Sequence, residues 1–279
     1  MNEVNFTTLI NKMKAQIVER PNKADNGTLS GHAAGEPFEK CVYHKLKAMY
    51  PNRIFKQYEY LNDIYLKNPK HISVEQRRAL FDSPTVLFLL SRGDKATREW
   101  SPDNIFAEKQ DDTADILFCD DGVYDIIDVK TRNRSKKAQA PNIISAYKLA
   151  KMCACMIDNK EYENIKIDYI EIDWLEEGNY LKCVDAHHGD LFKANPEELY
   201  INWAAAMQIQ FHVCDLDQTW MGSRKDWARH YLKIFVDSAE HRCRTMREKY
   251  VEPFLRYIDD RKYYISHTDY KLQLCPKDN

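Results

Sequence analysis

The sequence predicts an α/β fold, in which helices flank a mixed central β-sheet and one long helix lies near the C-terminus. Apolar runs at 114–119 and 123–129 flank an Asp-Gly pair, which is a strong signal for a two-residue β-hairpin turn. A helical pattern at 143–158 followed by a strand pattern at 166–174 is typical of the crossover between parallel strands. Residues 223–258 keep a helical rhythm of apolar side chains throughout, which indicates the long helix.

Composition narrows the class of protein. The chain has 279 residues, 44% of them hydrophobic, which is enough for a substantial core. Its net charge is −2, so any binding of nucleic acid must depend on local basic patches. No apolar run is long enough to span a membrane, and the eight cysteines include no Cys-x-x-Cys pair. We therefore expect a cytoplasmic protein with reduced thiols and no membrane partner.

The N-terminal half predicts elements of alternating type. An amphipathic helix is expected over 1–20, and a loop rich in glycine and polar residues over 21–35. That loop is either a flexible surface segment or a place where a partner backbone approaches closely. The next expected elements are a helix over 36–50 with Pro37 in its first turn, a strand over 55–61, a helix over 73–81, and a buried strand or short helix over 85–90.

The second half predicts the rest of the sheet. Asn142 is the expected N-cap of the helix over 143–158, and His187 and His188 are expected in a polar surface loop. Gln208, Gln210 and His212 alternate along an expected strand, where they either read bases or are merely solvated. The remaining expectations are strands over 166–174, 180–184, 199–201 and 206–213, a helix over 223–258 that covers the sheet or joins a partner subunit, and a loosely held tail beyond 259.

The hairpin carries the candidate chemistry. If Asp121 and Gly122 form the turn, Asp115 faces Asp128, and Lys130 shares the face of Asp128. Two facing carboxylates repel each other unless a proton or cation lies between them, and an open set of oxygen ligands suits Mg²⁺. An adjacent lysine would stabilise a phosphodiester that gains negative charge in its transition state. This arrangement is the PD-(D/E)xK nuclease pattern in outline; the alternative is a hairpin that ends in a solvated salt bridge.

The residues after the hairpin favour a nuclease. Five cations lie between 130 and 137, where they would position a nucleic-acid backbone, although such runs are usually just solvated. The segment AQAPN at 138–142 offers small residues and amides, as the reading of base edges requires. Glu39 is either an outer-shell acid of the metal centre or a residue that stabilises the helix dipole.

Longer stretches carry a resemblance to a known family. The chain resembles the HincII/HindII-type restriction endonucleases, which are type II enzymes of the PD-(D/E)xK superfamily. The resemblance depends on segments that together cover most of residues 27–257: GTLSGHAAGEPFE at 27–39, FKQYEYLND at 55–63, SPTVLFLLSRG at 83–93, DTADIL at 112–117, DVKTRN at 128–133, AQAPNIISAYKLA at 138–150 and ELYINWAAAMQIQFHV at 198–213.

The resemblance implies a restriction-endonuclease-like core and a catalytic set. It implies Mg²⁺ bound by Asp115 and Asp128, with the Val129 carbonyl as a further ligand, and Lys130 as the catalytic lysine. Ala114 stands where the motif's name has proline, a difference that is common. One domain over 1–279 is expected, with an N-terminal helix and loop at 1–26, a catalytic and DNA-recognition core at 27–213 and a C-terminal helical segment at 223–258.

The resemblance also implies a substrate and partners. It implies a homodimer that cuts both strands of double-stranded DNA at a short palindrome, GTYRAC or a closely related site, with blunt ends, and a DNA methyltransferase that works alongside it. Gln139 resembles a glutamine that wedges between base pairs from the minor groove. The residues implied to contact DNA are Arg132 on the backbone and Ala138, Gln139, Asn142, Tyr200 and Asn202 on the bases.

Two other functions remain open at this stage. A repair or junction nuclease on the same core would cut according to DNA structure rather than sequence. A DNA-binding regulator with a degenerate metal site would bind without cutting. Mg²⁺-dependent cleavage into discrete bands distinguishes restriction from both.

Overall fold

A computed structural model of the protein describes residues 3–21, 31–57, 60, 83–90, 114–137, 139–205, 207–255 and 257. The chain forms two compact units, Met1–Phe235 and Val236–Asn279. The first unit contains both β-sheets and the candidate site.

The larger sheet has six strands in the order β1-β7-β6-β4-β3-β2. Its strands β4 and β6 are parallel, and its other neighbours are antiparallel. This arrangement confirms the predicted mixed sheet. The strands are β1 (Ile17–Glu19), β2 (Ile54–Phe55), β3 (Ile116–Asp120), β4 (Val123–Asn133), β6 (Ile165–Glu177) and β7 (Tyr180–Asp190).

A second, smaller sheet has three antiparallel strands in the order β5-β9-β8. These strands are β5 (Asn142–Ser145), β8 (Ile201–Asn202) and β9 (Gln208–Gln210). Strand β9 lies between the other two, so it connects two segments that are far apart in sequence.

The hairpin between β3 and β4 has the predicted turn and register. Asp121 and Gly122 have φ angles of 46° and 75°, and positive values at both positions match the twist of the flanking strands. Cys119 pairs with Tyr124, and Leu117 pairs with Ile126, as expected. The ladder ends at Ile116, so Asp115 comes one residue before the strand.

Helices pack on both faces of the larger sheet because β4 is apolar on both. Ile126 belongs to a core with the helices after the hairpin, whereas Ile127 belongs to a core with the N-terminal helices. The helices are α1 (Phe6–Met13), α2 (Gly31–Met49), α3 (Pro84–Leu90), α4 (Ala146–Asn159), α5 (Arg224–Met246) and α6 (Glu252–Leu255), and a π-helical turn (Arg247–Val251) joins α5 to α6.

Several boundaries differ from the predicted ones. Helix α1 ends at Met13 because Ala15 takes a left-handed conformation with φ of 64°, and the chain continues as β1. Helix α4 begins three residues later than expected, because Ile143 and Ile144 belong to β5 and not to the helix. Ser145 is therefore the N-cap, and its side chain accepts a hydrogen bond from Lys148 N.

The prediction of a polar surface loop at His187 and His188 is wrong, because strand β7 extends beyond its apolar stretch. His187 and His188 lie on β7, and neither is fully exposed. The His188 ring stacks on Phe6 with ring centroids 3.8 Å apart, and its Nε2 is 2.5 Å from Asp168 Oδ1. These contacts stabilise this part of β7 as a strand that pairs with β6.

The remaining predicted elements differ from the observed ones in type or length, or lie outside the described residues. The stretch at 85–90 is helical and belongs to α3, and Pro37 lies inside α2 because that helix begins at Gly31. The prediction of a strand over 55–61 is wrong, because β2 ends at Phe55 and the chain is helical at Gln57 and Tyr60. The predicted strand over 199–201 is confirmed only at Ile201, where β8 begins, and the predicted strand over 206–213 is shortened to β9. The expected helix over 73–81, most of the loop over 21–35 and the tail beyond 259 lie outside the described residues.

Two general features complete the description. None of the helices in the described ranges is both long and apolar enough to cross a bilayer. The cysteines that the structure describes are all free thiols: Cys41, Cys119, Cys153, Cys155, Cys183, Cys214 and Cys243.

Candidate active site

Three ionisable side chains meet where β4 emerges from the hairpin. Lys130 Nζ lies 2.7 Å from Asp128 Oδ2, and the Asp128 residue is only 8% exposed. Asp115 reaches the same strand, because its Oδ2 accepts a hydrogen bond of 2.8 Å from Val129 N. The structure therefore brings together the three residues that the sequence predicted to form a cluster.

The two carboxyl groups are close enough to perturb each other. Burial, together with the charge of Asp128, raises the pKa of Asp115 to about 7. The N–H of Val129 and the ammonium of Lys130 oppose that shift only in part. The raised pKa shows that a second negative charge is unfavourable beside Asp128. A cation bound between the two carboxyl groups would therefore be favoured.

Lys130 remains a cation in this setting. Burial alone lowers the pKa of its ammonium, but attraction to Asp128, Asp115 and Glu39 outweighs burial, and the net shift is upward. The side chain is 24% exposed, so the charge borders solvent. Lys130 can therefore present positive charge to an anionic ligand at the mouth of the site.

Glu39 lies near this cluster but is already paired. Its Oε1 accepts a hydrogen bond from Lys56 Nζ, which also lies 5.1 Å from the centre of the Tyr43 ring. The charge of Glu39 acts on Lys130 without an ion pair between them. The pairing of Lys56 with Glu39 could not be predicted, because nothing in the segment FKQYEYLND at 55–63 indicates a long-range partner for the lysine.

The donor set fits Mg²⁺ better than a metal that needs a full protein cage. The described part of the chain has no group of three or more His, Cys, Asp or Glu side chains arranged to hold a metal ion. Mg²⁺ characteristically takes one or two carboxylates and completes its octahedron with water and substrate phosphate. Asp115 and Asp128 are the two carboxylates in this cluster that could hold such an ion.

Arg132 extends the row of charges along β4, but its guanidinium is engaged. Its Nε and Nη2 donate to the two carboxylate oxygens of Asp173 at 2.7 and 2.6 Å, a bidentate geometry. Arg134 Nη1 lies 3.4 Å from the same carboxylate, and its side chain is 51% exposed. Lys136 and Lys137 are exposed, so the basic run faces solvent mainly beyond Arg132.

The expected reading residues lie on or beside the small sheet. Asn142 begins β5, and Asn202 ends β8 on the other side of β9. Gln139 is exposed in the segment before β5, and Tyr200 is 65% exposed just before β8. Ala138 lies outside the described residues. Two segments separated by some sixty positions in the chain are thus neighbours in space.

Glu171 is a buried acid that sequence analysis did not single out. It lies opposite Lys130 in the β4–β6 register and is fully buried. Its oxygens lie 2.7 Å from His212 Nδ1 and 2.6 Å from Val213 N. Glu171 thus ties the 3-10 turn that follows β9 to the strand beside β4. The available signal was an acid inside the apolar strand pattern of 166–174.

Comparisons with known proteins show the family of the chain. The model of the family described as restriction endonuclease HincII matches residues 9–258. Two type II restriction enzymes from Haemophilus influenzae, HindII and HincII, are each 60% identical over 243 residues, which is 87% of this chain and 93% of each relative.

A solved structure, the NlaIV restriction endonuclease, aligns over 96% of this chain and 97% of its own with a TM-score of 0.36 and 11% identity. That similarity is too weak to support an inference. The match over residues 9–258 and the 60% identity are sufficient alone. The chain therefore belongs to the HincII family of type II restriction endonucleases.

Proposed function

We propose that the chain hydrolyses double-stranded DNA at a short palindrome in a reaction that depends on Mg²⁺. The observation that carries the proposal is the cluster of Asp115, Asp128 and Lys130, which lies where β4 continues beyond its pairing with β3. Two acids and one cation beside solvent can hold a divalent ion and a phosphodiester at the same place.

Each residue has a distinct role in the proposed reaction. Asp115, Asp128 and the Val129 carbonyl would hold Mg²⁺. The ion, when bound, supplies charge stabilisation at the phosphoryl oxygens and lowers the pKa of a bound water. The hydrogen bond from Val129 N holds the Asp115 carboxyl against β4. Its other oxygen is therefore already positioned to bind the ion.

Lys130 acts on the substrate through its charge and its N–H groups. Its ammonium is held by Asp128 at 2.7 Å and stays protonated, so it orients the attacking water and stabilises charge on the phosphate. Water oxygen bonds to phosphorus as the bond to the 3′ oxygen breaks. The attacking water loses a proton to solvent and the departing 3′ oxygen takes one up from solvent water, so the products are a 5′ phosphate and a 3′ hydroxyl.

The proposed target is GTYRAC or a closely related site, cut at its centre to give blunt ends. Support comes from residues at the reading positions of the family and from the exposure of Gln139 and Tyr200. An exposed glutamine ahead of β5 can enter the base stack, and a pyrimidine–purine step is the easiest one to open.

The proposal includes an assembly and a setting. Two subunits, each with one active site, would cut the two strands of a palindrome. The enzyme would act in the cytoplasm of a bacterium, where a DNA methyltransferase of the same specificity protects the host genome.

Digestion of a plasmid of known sequence in Mg²⁺, followed by sequencing of the ends, tests the proposal. We expect discrete bands whose ends all lie at the centre of GTYRAC, with 5′ phosphates. Cutting confined to branched or mismatched substrates would instead identify a repair nuclease, and binding without cleavage in Mg²⁺ would identify a DNA-binding regulator.

A further inference from the structure

Three side-chain amides form a hydrogen-bonded row across the small sheet. Gln210, on the central strand β9, lies between Asn142 on β5 and Asn202 on β8. Gln210 Nε2 donates to Asn142 Oδ1 at 2.7 Å, and Asn202 Nδ2 donates to Gln210 Oε1 at 2.8 Å. The backbone N–H of Gln210 also donates to Tyr200 O at 3.3 Å, so Gln210 contacts both reading segments.

One end of the row fixes the direction of every hydrogen bond in it. The backbone N–H groups of Ala204 and Ala205 lie 3.0 and 3.1 Å from Asn202 Oδ1. A backbone N–H can only donate, so the atom of Asn202 that faces them must be the oxygen. The amide nitrogen of Asn202 then faces Gln210, which must offer its oxygen.

The same logic continues to the exposed end. Because Gln210 uses its oxygen on Asn202, its nitrogen faces Asn142 and requires the Asn142 oxygen as acceptor. Asn142 is exposed, and its Nδ2 has no acceptor among the residues that the structure describes. Asn142 is thus held with its donor group free.

We infer that Gln210 is a positioning residue that sets the polarity with which Asn142 meets a base. This inference deepens the proposed function and rests on it. An asparagine held in this way favours a base-edge acceptor, such as guanine O6 or N7 or thymine O4. An unrestrained asparagine amide could turn over and offer its oxygen instead, and discrimination at that base pair would weaken.

Substitutions at position 210 test this polarity directly. Leucine removes both hydrogen bonds and lets the Asn142 amide turn. Glutamate keeps the bond from Asn202, but its second oxygen cannot donate, so Asn142 must turn its nitrogen inward and its oxygen outward. Gln16→Glu is the matched control, because Gln16 makes its hydrogen bond to Ile17 O beside β1 and undergoes the same change of charge.

The measurement is kcat/KM in Mg²⁺ on a duplex that contains GTYRAC and on duplexes with each base pair of the site replaced singly. Asn142→Ala first identifies the base pair that Asn142 reads. We expect Gln210→Leu to lower discrimination about tenfold or more at that same base pair and to leave the other positions near wild type. Gln210→Glu should shift the preference there towards a base that presents a donor, adenine or cytosine, while Gln16→Glu keeps the wild-type profile.

Two results would overturn the inference. Gln210→Glu could keep the wild-type preference at the Asn142 base pair, or both variants could lose discrimination evenly at all base pairs, as a merely structural residue would. Failure of the proposed function itself gives a different result, because the wild-type enzyme would then cut none of the duplexes.

Discussion

Arg132 and Asp173 form a bidentate ion pair across the parallel strands β4 and β6, with N–O distances of 2.7 and 2.6 Å. The two residues are directly opposite each other in the strand register. Their side chains are only 12% and 3% exposed, so neither charge has much access to water. Arg132 therefore has a structural role beside the active site, whatever it contributes to DNA binding.

Removal of either member of this pair should destabilise the fold. We expect Arg132→Ala to lower the free energy of unfolding by about 2–3 kcal/mol, because the buried carboxylate of Asp173 loses its bidentate partner. That carboxylate keeps only longer contacts with Arg134 and His187. Urea denaturation measures the change. The double variant Arg132→Gln, Asp173→Asn should recover most of the loss, and equal losses in the single and double variants would contradict the pairing.

Asp125 gives a prediction about pH. It is 2% exposed, and its Oδ1 has no hydrogen-bond partner. Burial and the nearby charge of Asp168 raise the pKa of Asp125 well above its ordinary 3.8. The folded protein thus holds a proton that the unfolded chain releases, so the contribution of Asp125 to stability is greatest below pH 3.8 and falls as pH rises towards the raised pKa.

Asp125→Asn should remove this dependence. We expect the variant to be more stable than wild type by about 1–3 kcal/mol at pH 8, and to differ less at pH 3.5, where the wild-type side chain is protonated in the folded state and mostly protonated in the unfolded chain. Urea denaturation at the two pH values measures both effects. Asp237, which is exposed on α5, offers the control Asp237→Asn, and an equal gain in that variant would count against the prediction.

The start of α4 can be tested through its cap. Ser145→Ala should lower the free energy of unfolding by about 1 kcal/mol, because the side chain of Ser145 satisfies the N–H of Lys148. Thermal unfolding measures the loss. Ser135→Ala, in the exposed turn after β4, should cost less than half as much. A larger loss in that control than in Ser145→Ala would place the cap elsewhere.

Local chemistry explains what could be predicted from the sequence. The two-residue turn at Asp121-Gly122, with positive φ at both positions, fixed the hairpin register, and the alternation of side chains along β4 placed Asp128 and Lys130 on one face. The helix boundary at Ser145 could not be predicted in this way, because Asn142 is also a good capping residue. Pairing of Asn142 with Gln210 on β9 decided between them.

Long-range partners explain what could not be predicted. Arg132 belongs to a basic run in the sequence, yet its guanidinium binds an acid from a strand some forty residues away. His188 is adjacent to polar residues in the sequence but stacks on Phe6, near the N-terminus. The row of amides likewise joins β5, β8 and β9, whose adjacency follows only from the tertiary fold.

The role of Lys130 rests on its contact with Asp128, and two substitutions separate cleavage from binding. Lys130→Ala and Asp128→Ala should each lower the rate of DNA cleavage in Mg²⁺ by at least about 100-fold. Binding to the GTYRAC duplex in Ca²⁺ should survive, because the proposed reading residues that the structure describes lie on or beside the small sheet. Lys182→Ala, a partly exposed lysine on β7, is the control and should cut at the wild-type rate.

The most direct test is single-turnover cleavage of a GTYRAC duplex in Mg²⁺ by wild type, Lys130→Ala and Lys182→Ala, with binding in Ca²⁺ measured in parallel. We predict rapid cleavage by wild type and Lys182→Ala, and none within the assay by Lys130→Ala despite normal binding. Near-wild-type cleavage by Lys130→Ala would contradict the assignment of the active site to the cluster of Asp115, Asp128 and Lys130.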